Sequence, residues 1–463
     1  MKKHFILVIA ILSVTSAVAQ SPAYKDEVFT EYFRRTSEWV ASDGSISVPL
    51  PEGKTLWLMG DSHIDGYIAG DTTIPCLFQV RNAILVQDLR EPSSITTILD
   101  KTQTGVNRTP VKLSVNSQTY LWPGHGYAKK DSAIVFWQGY EGAGMTHTTN
   151  YVSKIYTKNM TDASSIKKLI PLPIPAEYEF GNAVVVDSVR SYVYFYGMKS
   201  DWIIFRPYVA RIPFGRDVTG QWEFFDGTSW SDDVNTSAQL MGDLNHYVSP
   251  SFSVIKLQDK YYMISQDIGF LTCGLGRDIY SWESDSPEGP FTNKKLIYTI
   301  EDKYRGEYMI TYNATAHPEF IKNNELLVSY NVNRTCTDYC ANAFADRYNA
   351  DMYRPKFVRV PLVYIDPTLN VPDPVFPDPV TSIDQVETSV KIYPNPASKV
   401  ITIEMERGSG SRTIAVTDNM GKLVLSKVTN QLKESISVEK PGVYQVTITE
   451  RQKVRTVRRI VIL

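Results

Sequence analysis

The chain has 463 residues, 43% of them hydrophobic, and a formal net charge of −2. That length and apolar content suffice for two or three packed domains and exclude a largely disordered chain. The 28 Tyr, 18 Phe and 8 Trp, with Gly and Pro spread evenly, favour strands and turns over helices.

At the start, Lys2 and Lys3 precede an apolar run from Phe5 to about Val18, which ends in the small residues of AVAQ. This is the layout of a secretory signal peptide over residues 1–19, cut after Ala19, and it is too short for a good membrane span. No cysteine stands at the cut for a lipid anchor, and no later stretch is apolar for long enough to cross a bilayer. An exported protein without a transmembrane segment is expected.

Residues 20–365 carry a weak repeat of one strand, a tight turn and a second strand ending in polar residues. The copies are DGSISVPLPEGKTLWLMGDS, HGYAKKDSAIVFWQGYEG, FGNAVVVDSVRSYVYFYGMKSD, FSVIKLQDKYYMISQDIG and HPEFIKNNELLVSYNVN. The spacing leaves room for two more strands in each unit. Four strands per unit repeated radially predict a five-bladed β-propeller in an all-β chain.

In such a fold, residues that begin first strands and end second strands meet around one mouth. That rule gathers Asp43, Asp61, His125, Glu141, Glu179, Asn182, Asp201, Asp267, His317, Asn331 and Asn333. Carboxylates crowded into one concave place are costly unless a site uses them. The plainer reading makes Asp43 in SDGS and Asp61 in GDSH turn residues, and His317 a packed, hydrogen-bonded histidine.

Cys336 and Cys340 in CTDYC can close a small loop as a disulfide in an oxidising compartment, the alternative being two reduced thiols. A zinc site lacks a second cysteine or histidine pair nearby. Residues 366–390, rich in Pro and Asp, read as an extended linker. From Lys391 the charge changes sign, with 13 Lys and Arg against 6 Asp and Glu, so the acidic main module disfavours nucleic acid as a partner.

Residues 391–463 alternate apolar and polar residues in KVITIEM, TIAVTDNMGKLVL and GVYQVTITE, which predicts a small β-sandwich. With IYPNPASKVITIE at the entrance, TDNMGKLV in the middle and the tail KVRTVRRIVIL, the segment resembles the type A C-terminal sorting domain of the type IX secretion system of Bacteroidetes. The resemblance implies passage across the outer membrane by that machinery, to a secreted or cell-surface location. A carbohydrate-binding sandwich is the alternative, although the strands show few exposed aromatics of the kind that stack on sugars.

The large module resembles five-bladed propellers related to arabinanases, and most closely a former domain of unknown function linked to endo-acting D-arabinan hydrolases. SDGSISVPLPEGKTLWLMGDS, RNAILVQD, YLWPGHGY and AHPEFIKNNELLVSYNVN carry the likeness, which spans nearly residues 28–364. The chain departs at WPGHGY, where a less bulky or acidic residue is expected beside His125. The resemblance implies a polysaccharide substrate, most closely an arabinan-type furanosyl glycan, cut by carboxylate acid and base catalysis. By position Asp43 or Asp61 is the expected base and Asp267 or Glu179 the expected acid. Trp122, Tyr140 and Tyr178 are candidates for stacking on sugar rings, and His125, Glu141, Asn182, His317 and Asn331 for binding substrate. No cofactor is assigned. Some such propellers hold a metal beside a last-blade histidine, which leaves Ca²⁺ at His317 as an open alternative, although no loop has calcium-ligand spacing.

Two rival readings differ in their features. A non-catalytic glycan-binding or adhesin propeller needs aromatics at the mouth but no carboxylate pair. A sialidase-like hydrolase needs an Asp-box, which FDGTSW fits only partly, and an arginine triad, which is not evident.

Overall fold

The computed structural model describes residues 22–462, apart from 52, 115–116, 158–159, 202–203, 242–246, 269–273, 339, 375–389, 406–410, 419–421 and 451–452. The expected signal peptide, residues 1–19, lies outside the described residues, as does most of the expected linker. The chain divides into two compact units, Met1–Phe376 and Pro377–Leu463.

The protein is all-β, and among the described residues its α-helices are two short ones, Glu27–Glu31 and Leu362–Ile365. Five antiparallel sheets of four or five strands follow one another along the first unit. Each contains one of the expected strand–turn–strand copies. Ile46–Leu50 pairs with Lys54–Met59, Tyr120–Lys129 with Ser132–Glu141, and Glu179–Asp187 with Tyr192–Asp201. Phe252–Leu257 pairs with Lys260–Gln266, and Ile310–Lys322 with Glu325–Asn333. Further strands extend each sheet; in the fifth sheet the outermost one is Tyr24–Lys25, paired with Lys356–Pro361. The start of the described chain thus completes the last sheet.

Successive side chains on a strand point to opposite faces, and here both faces are apolar. On Lys54–Met59, Leu56 and Leu58 join a core with Val135 and Trp137 of the second sheet. Trp57 and Met59, one residue out of step, join Leu327 and Phe357 of the fifth. Phe136 meets Phe195 between the second and third sheets, with ring centroids 5.2 Å apart. Tyr194 and Tyr261 share a core between the third and fourth, and Tyr262 and Val328 one between the fourth and fifth. The first strands touch one another in the same cyclic order, the fifth returning to the first. Each large apolar side chain buried in this way contributes roughly 1.5–3 kcal/mol. A charged residue in place of Phe195 would therefore drive a pair of sheets apart rather than disturb a single one.

The expected Cys336–Cys340 loop is not formed. Cys340 is bonded to Cys76, with Cα atoms 6.2 Å apart and a sequence separation of 264. The reason is long-range strand pairing: Thr73–Pro75 lies antiparallel to Arg347–Asn349, and the Cys76 amide donates to Asp346 O at 3.0 Å. Cys336 is disulfide-bonded as well, but not to Cys340. Past residue 365 the chain stays attached to the first unit, since Asp366 accepts from Lys260 Nζ at 3.0 Å and from the Tyr262 hydroxyl at 2.9 Å.

In the second unit, Lys391–Tyr393, Val400–Glu404 and Lys433–Ser437 form one sheet. Leu423–Thr429, Arg412–Asp418, Gly442–Glu450 and Lys453–Ile462 form the other. Ile401 and Ile403 from the first sheet and Ile414, Val416, Val446 and Ile448 from the second share one core.

Candidate active site

All five sheets contribute to one cleft of about 370 Å³. Asp43 and Ile46, Trp122 and Gly124, Asn182, Ser251, and Tyr312 and Thr315 line it from the beginnings of the first strands or just before them. Tyr140, Met198, Asp267 and Asn333 line it from the ends of the second strands.

Asp43 sits at the turn into the first sheet, where Gly44 adopts a φ of +66°. Burial raises its carboxyl to about 6, although hydrogen bonds from Tyr353, from the backbone of Asp61 and from Tyr312 favour the charged form. The Tyr312 hydroxyl lies 3.4 Å from Asp43 Oδ2. Asp61 follows the second strand of the same hairpin. Burial, and after it the charge of Asp43, raises its carboxyl to about 7. The opposing pull comes from Arg81, whose Nη1 donates to Asp61 Oδ2 at 3.1 Å, and from Trp122, whose Nε1 donates to Oδ1 at 3.0 Å. Two neighbouring buried carboxyls oppose each other's ionisation, so near neutral pH the pair retains a proton.

Asp267 enters from the fourth sheet. Burial raises its pKa, Lys294 acts against the shift, and the Tyr280 hydroxyl lies 3.3 Å from Oδ2. Glu179 is not among the residues of the cleft lining. It accepts a 2.6 Å hydrogen bond from the Tyr140 hydroxyl, and Tyr140 in turn packs on Trp122 with ring centroids 4.9 Å apart. The Arg81 guanidinium covers Tyr120 at 4.2 Å, which continues the aromatic wall outward.

The other expected site residues are distributed as follows. Asn182 and Asn333 line the cleft. Tyr178 packs into the core between the second and third sheets beside Phe180 and Tyr208. Glu141 is exposed and accepts from the Thr119 hydroxyl at 2.6 Å, and Asp201 is exposed at the end of its strand. His125 bonds the Gly126 carbonyl oxygen through Nδ1 at 2.8 Å, and burial lowers its pKa to about 4. Asn331 is fully buried, and its amide has no hydrogen-bond partner among the described residues.

His317 is fully buried between two hydroxyls, with Nδ1 2.7 Å from Ser47 Oγ and Nε2 2.8 Å from Ser329 Oγ. Burial, and the nearby His125, push its pKa well down. With both ring nitrogens engaged, His317 does not fit the role of a metal ligand. Nor is there any group of three or more His, Cys, Asp or Glu side chains among the described residues that could hold an ion.

Sequence reasoning passed over Tyr312, Tyr353, Arg81 and Gln138. Tyr312 could have been found, because it stands at the start of a first strand. Arg81 and Tyr353 lie in connections whose return to Asp61 and Asp43 no local pattern announces. The Asp-box fragment FDGTSW forms a turn in which Asp226 accepts from the amides of Thr228 at 2.8 Å and Ser229 at 2.6 Å.

Residues 26–370 match the family model described as "Domain of unknown function (DUF5005)", and residues 391–463 match that of the secretion system C-terminal sorting domain. Among solved structures, the chain is similar to a protein from Bacteroides ovatus ATCC 8483 that carries the provisional description hydrolase. The identity is 24%, the TM-score 0.61, and the match covers 73% of this chain and 90% of that one. A GH43_1 enzyme from Xanthomonas citri, complexed with xylotriose, matches at 13% identity and TM-score 0.40, over 72% of this chain and 93% of that one. An α-L-arabinanase mutant from Cellvibrio cellulosa matches at 10% identity and TM-score 0.40, over 72% and 99%. No curated protein matches the chain.

Proposed function

The chain belongs to the DUF5005 family, and from that premise we propose that it is a secreted glycoside hydrolase whose first unit is a closed five-bladed propeller with its active site at the mouth. The fold reading is supported by five sheets with a shared core between each successive pair and between last and first. For the chemistry, the carrying observation is the Asp43–Asp61 pair, raised to about 6 and about 7 at the head of an aromatic cleft that Asp267 also lines.

Hydrolysis of a glycosidic bond needs one ionised and one protonated carboxyl. Asp43 serves as base, because it lines the cleft and hydrogen bonds stabilise its charged form. A water oxygen bonds to the anomeric carbon and gives its proton to Asp43. Asp267, which lines the cleft and whose pKa burial raises, donates its proton to the leaving oxygen as the glycosidic bond breaks. Asp61 supports Asp43 through a backbone hydrogen bond and is itself held by Arg81 and Trp122. Trp122 and Tyr140 offer ring faces to the sugar, and an arabinan-type furanosyl polymer is the substrate expected from the resemblance.

Export follows from the sorting-domain match over residues 391–463. Those residues, two sheets around one core, read as a small sandwich that addresses the preceding unit to the type IX machinery. The deciding experiment measures reducing ends released from arabinans, galactans and other polysaccharides by wild type, Asp43→Asn and Asp267→Asn. Release by the wild type that falls by about 10²–10⁴-fold in each variant supports the reading. Binding without release would make the protein a glycan-binding module instead.

A further inference from the structure

Two amide side chains in the cleft wall carry polar atoms that no described residue satisfies. Gln138 Nε2 and Asn182 Oδ1 are both buried and have no hydrogen-bond partner among the described residues, and both residues line the cleft. Gln138 itself is only 8% exposed.

Their positions follow from the strands. Gln138 lies directly opposite Trp122 in the second sheet. Asn182 sits in the pairing irregularity between Phe180 and Ala183 of the third. Gly124 and Gly181 bring these sheets together, since a Cβ on Gly124 would lie 2.7 Å from Gly181 O. The Asn182 amide is anchored on its other side, where Nδ2 donates to Pro250 O at 2.9 Å.

Buried polar atoms are nearly always paired, so an unpaired donor and an unpaired acceptor in one cleft point to a ligand that supplies both. A hydroxyl does so. The bond to Pro250 O fixes the orientation of the Asn182 amide; if the Gln138 amide is turned end for end, a hydroxyl, which donates as well as accepts, still answers. A carboxylate does not: it has no proton for an acceptor, and it would enter a cleft already lined by Asp43 and Asp267. A cation would leave the Gln138 donor unanswered.

We infer that Gln138 and Asn182 are specificity-determining residues that read hydroxyl groups of an uncharged sugar ring lying against Trp122, and so select neutral glycans over uronate polymers. The inference rests on the hydrolase reading for its site but not for its test.

The test is calorimetric titration of the Asp43→Asn protein with linear arabino-oligosaccharides, and with oligogalacturonate as the charged probe. Gln138→Met and Asn182→Leu are each added to the Asp43→Asn protein. Each lost amide should weaken binding of the neutral oligosaccharide by about tenfold, and oligogalacturonate should not bind. Asn182→Leu also removes the bond to Pro250, so Gln138→Met, checked for an unchanged melting temperature, carries the decision. Equal affinity in the Gln138→Met protein, tight binding of oligogalacturonate, or no binding of any neutral oligosaccharide overturns the inference. Binding with the expected pattern in a protein whose wild type releases no reducing ends overturns the hydrolase reading alone. Hydrolysis with an unchanged KM in the Gln138→Met protein overturns the amide reading alone.

Discussion

Asp43 Oδ1 occupies the space that any side chain on residue 60 would need, because a Cβ on Gly60 would collide with it. The same two residues are joined through the backbone, where Gly60 N donates to Asp43 O at 2.7 Å. The second strand of the first hairpin therefore ends in glycine to make room for the proposed base. Gly60→Ala should displace the carboxylate and lower kcat by about 10²-fold, the size of loss that follows a small misplacement of a reacting group. Gly70→Ala, where no atom lies within 4 Å of the added carbon, is the control. Initial rates beside melting temperatures check this, and an unchanged rate in Gly60→Ala would show that Asp43 is not the base.

Glu319 makes stability depend on pH. Both its carboxylate oxygens are shut away without a hydrogen-bond partner among the described residues, and burial raises its pKa to about 7. Ser47 and the backbone amide of Glu319 pull the other way, and the Ser47 hydroxyl is also engaged by His317. The folded state thus holds a proton that the unfolded chain releases near the ordinary glutamate value. Stability is greatest below that value, falls as pH rises toward 7, and is level above it. Asp43 and Asp61, also raised, add to the same slope. Glu319→Gln should be more stable than wild type at pH 8, and should flatten the slope by up to about 1.4 kcal/mol per pH unit. Urea midpoints from pH 4.5 to 8 measure it; a wild type that gains stability across this range would contradict it.

Catalysis should depend on pH through the acid pair. Asp43 must be ionised to act, so kcat/KM should rise with pH through about 6. Asp61 titrates above Asp43, at about 7, against the Asp43 charge, and is therefore largely neutral while Asp43 ionises. Asp61→Asn should leave the acid limb near 6 in place. A limb that moves to lower pH by about a unit or more would show that the Asp61 charge acts on Asp43.

Which features were legible in the sequence follows from the range of the signal. The five hairpins were, because strand alternation and tight turns are local; of the eleven residues that their topology rule gathered, Asp43, Asn182, Asp267 and Asn333 line the cleft. Trp122 and Tyr140, chosen as aromatics near the mouth, line it too. Tyr178 was misleading because an aromatic beside a first strand looks the same whether it faces the cleft or the core. Cys340 shows the stronger limit: CTDYC offers a near partner, whereas the pairing of Thr73–Pro75 with Arg347–Asn349 delivers a distant one. Gln138 was passed over because its alternation is that of any strand residue, and only the absence of a partner marks it.

The two candidate acids can be told apart. Glu179 receives the Tyr140 hydroxyl at 2.6 Å and stands behind the aromatic wall, whereas Asp267 lines the cleft. Glu179→Gln and Tyr140→Phe should act alike, loosening the ring and raising KM by about tenfold or less with little change in kcat. Asp267→Asn should instead lower kcat by about 10²–10⁴-fold. The reverse pattern would make Glu179 the acid.

The Cys76–Cys340 bond ties the walls of the candidate site together from outside the cleft. It flanks the pairing of Thr73–Pro75 with Arg347–Asn349, and the chain leaving that strand carries Tyr353, whose hydroxyl bonds Asp43. Between them Tyr348 bonds His63 Nε2 through its hydroxyl at 3.1 Å, which fixes the segment to the residue beside Ser62 and Ile64 in the first module's core. Cys340→Ser should therefore lower stability by about 2–4 kcal/mol, the usual range for a native disulfide, and also weaken the hold of Tyr353 on Asp43. A fall in kcat at temperatures well below melting would separate the second effect from the first. Non-reducing digestion followed by mass spectrometry should yield Cys76 and Cys340 in one cross-linked pair of peptides. A peptide with Cys336 bonded to Cys340 would reverse the assignment and remove the tether.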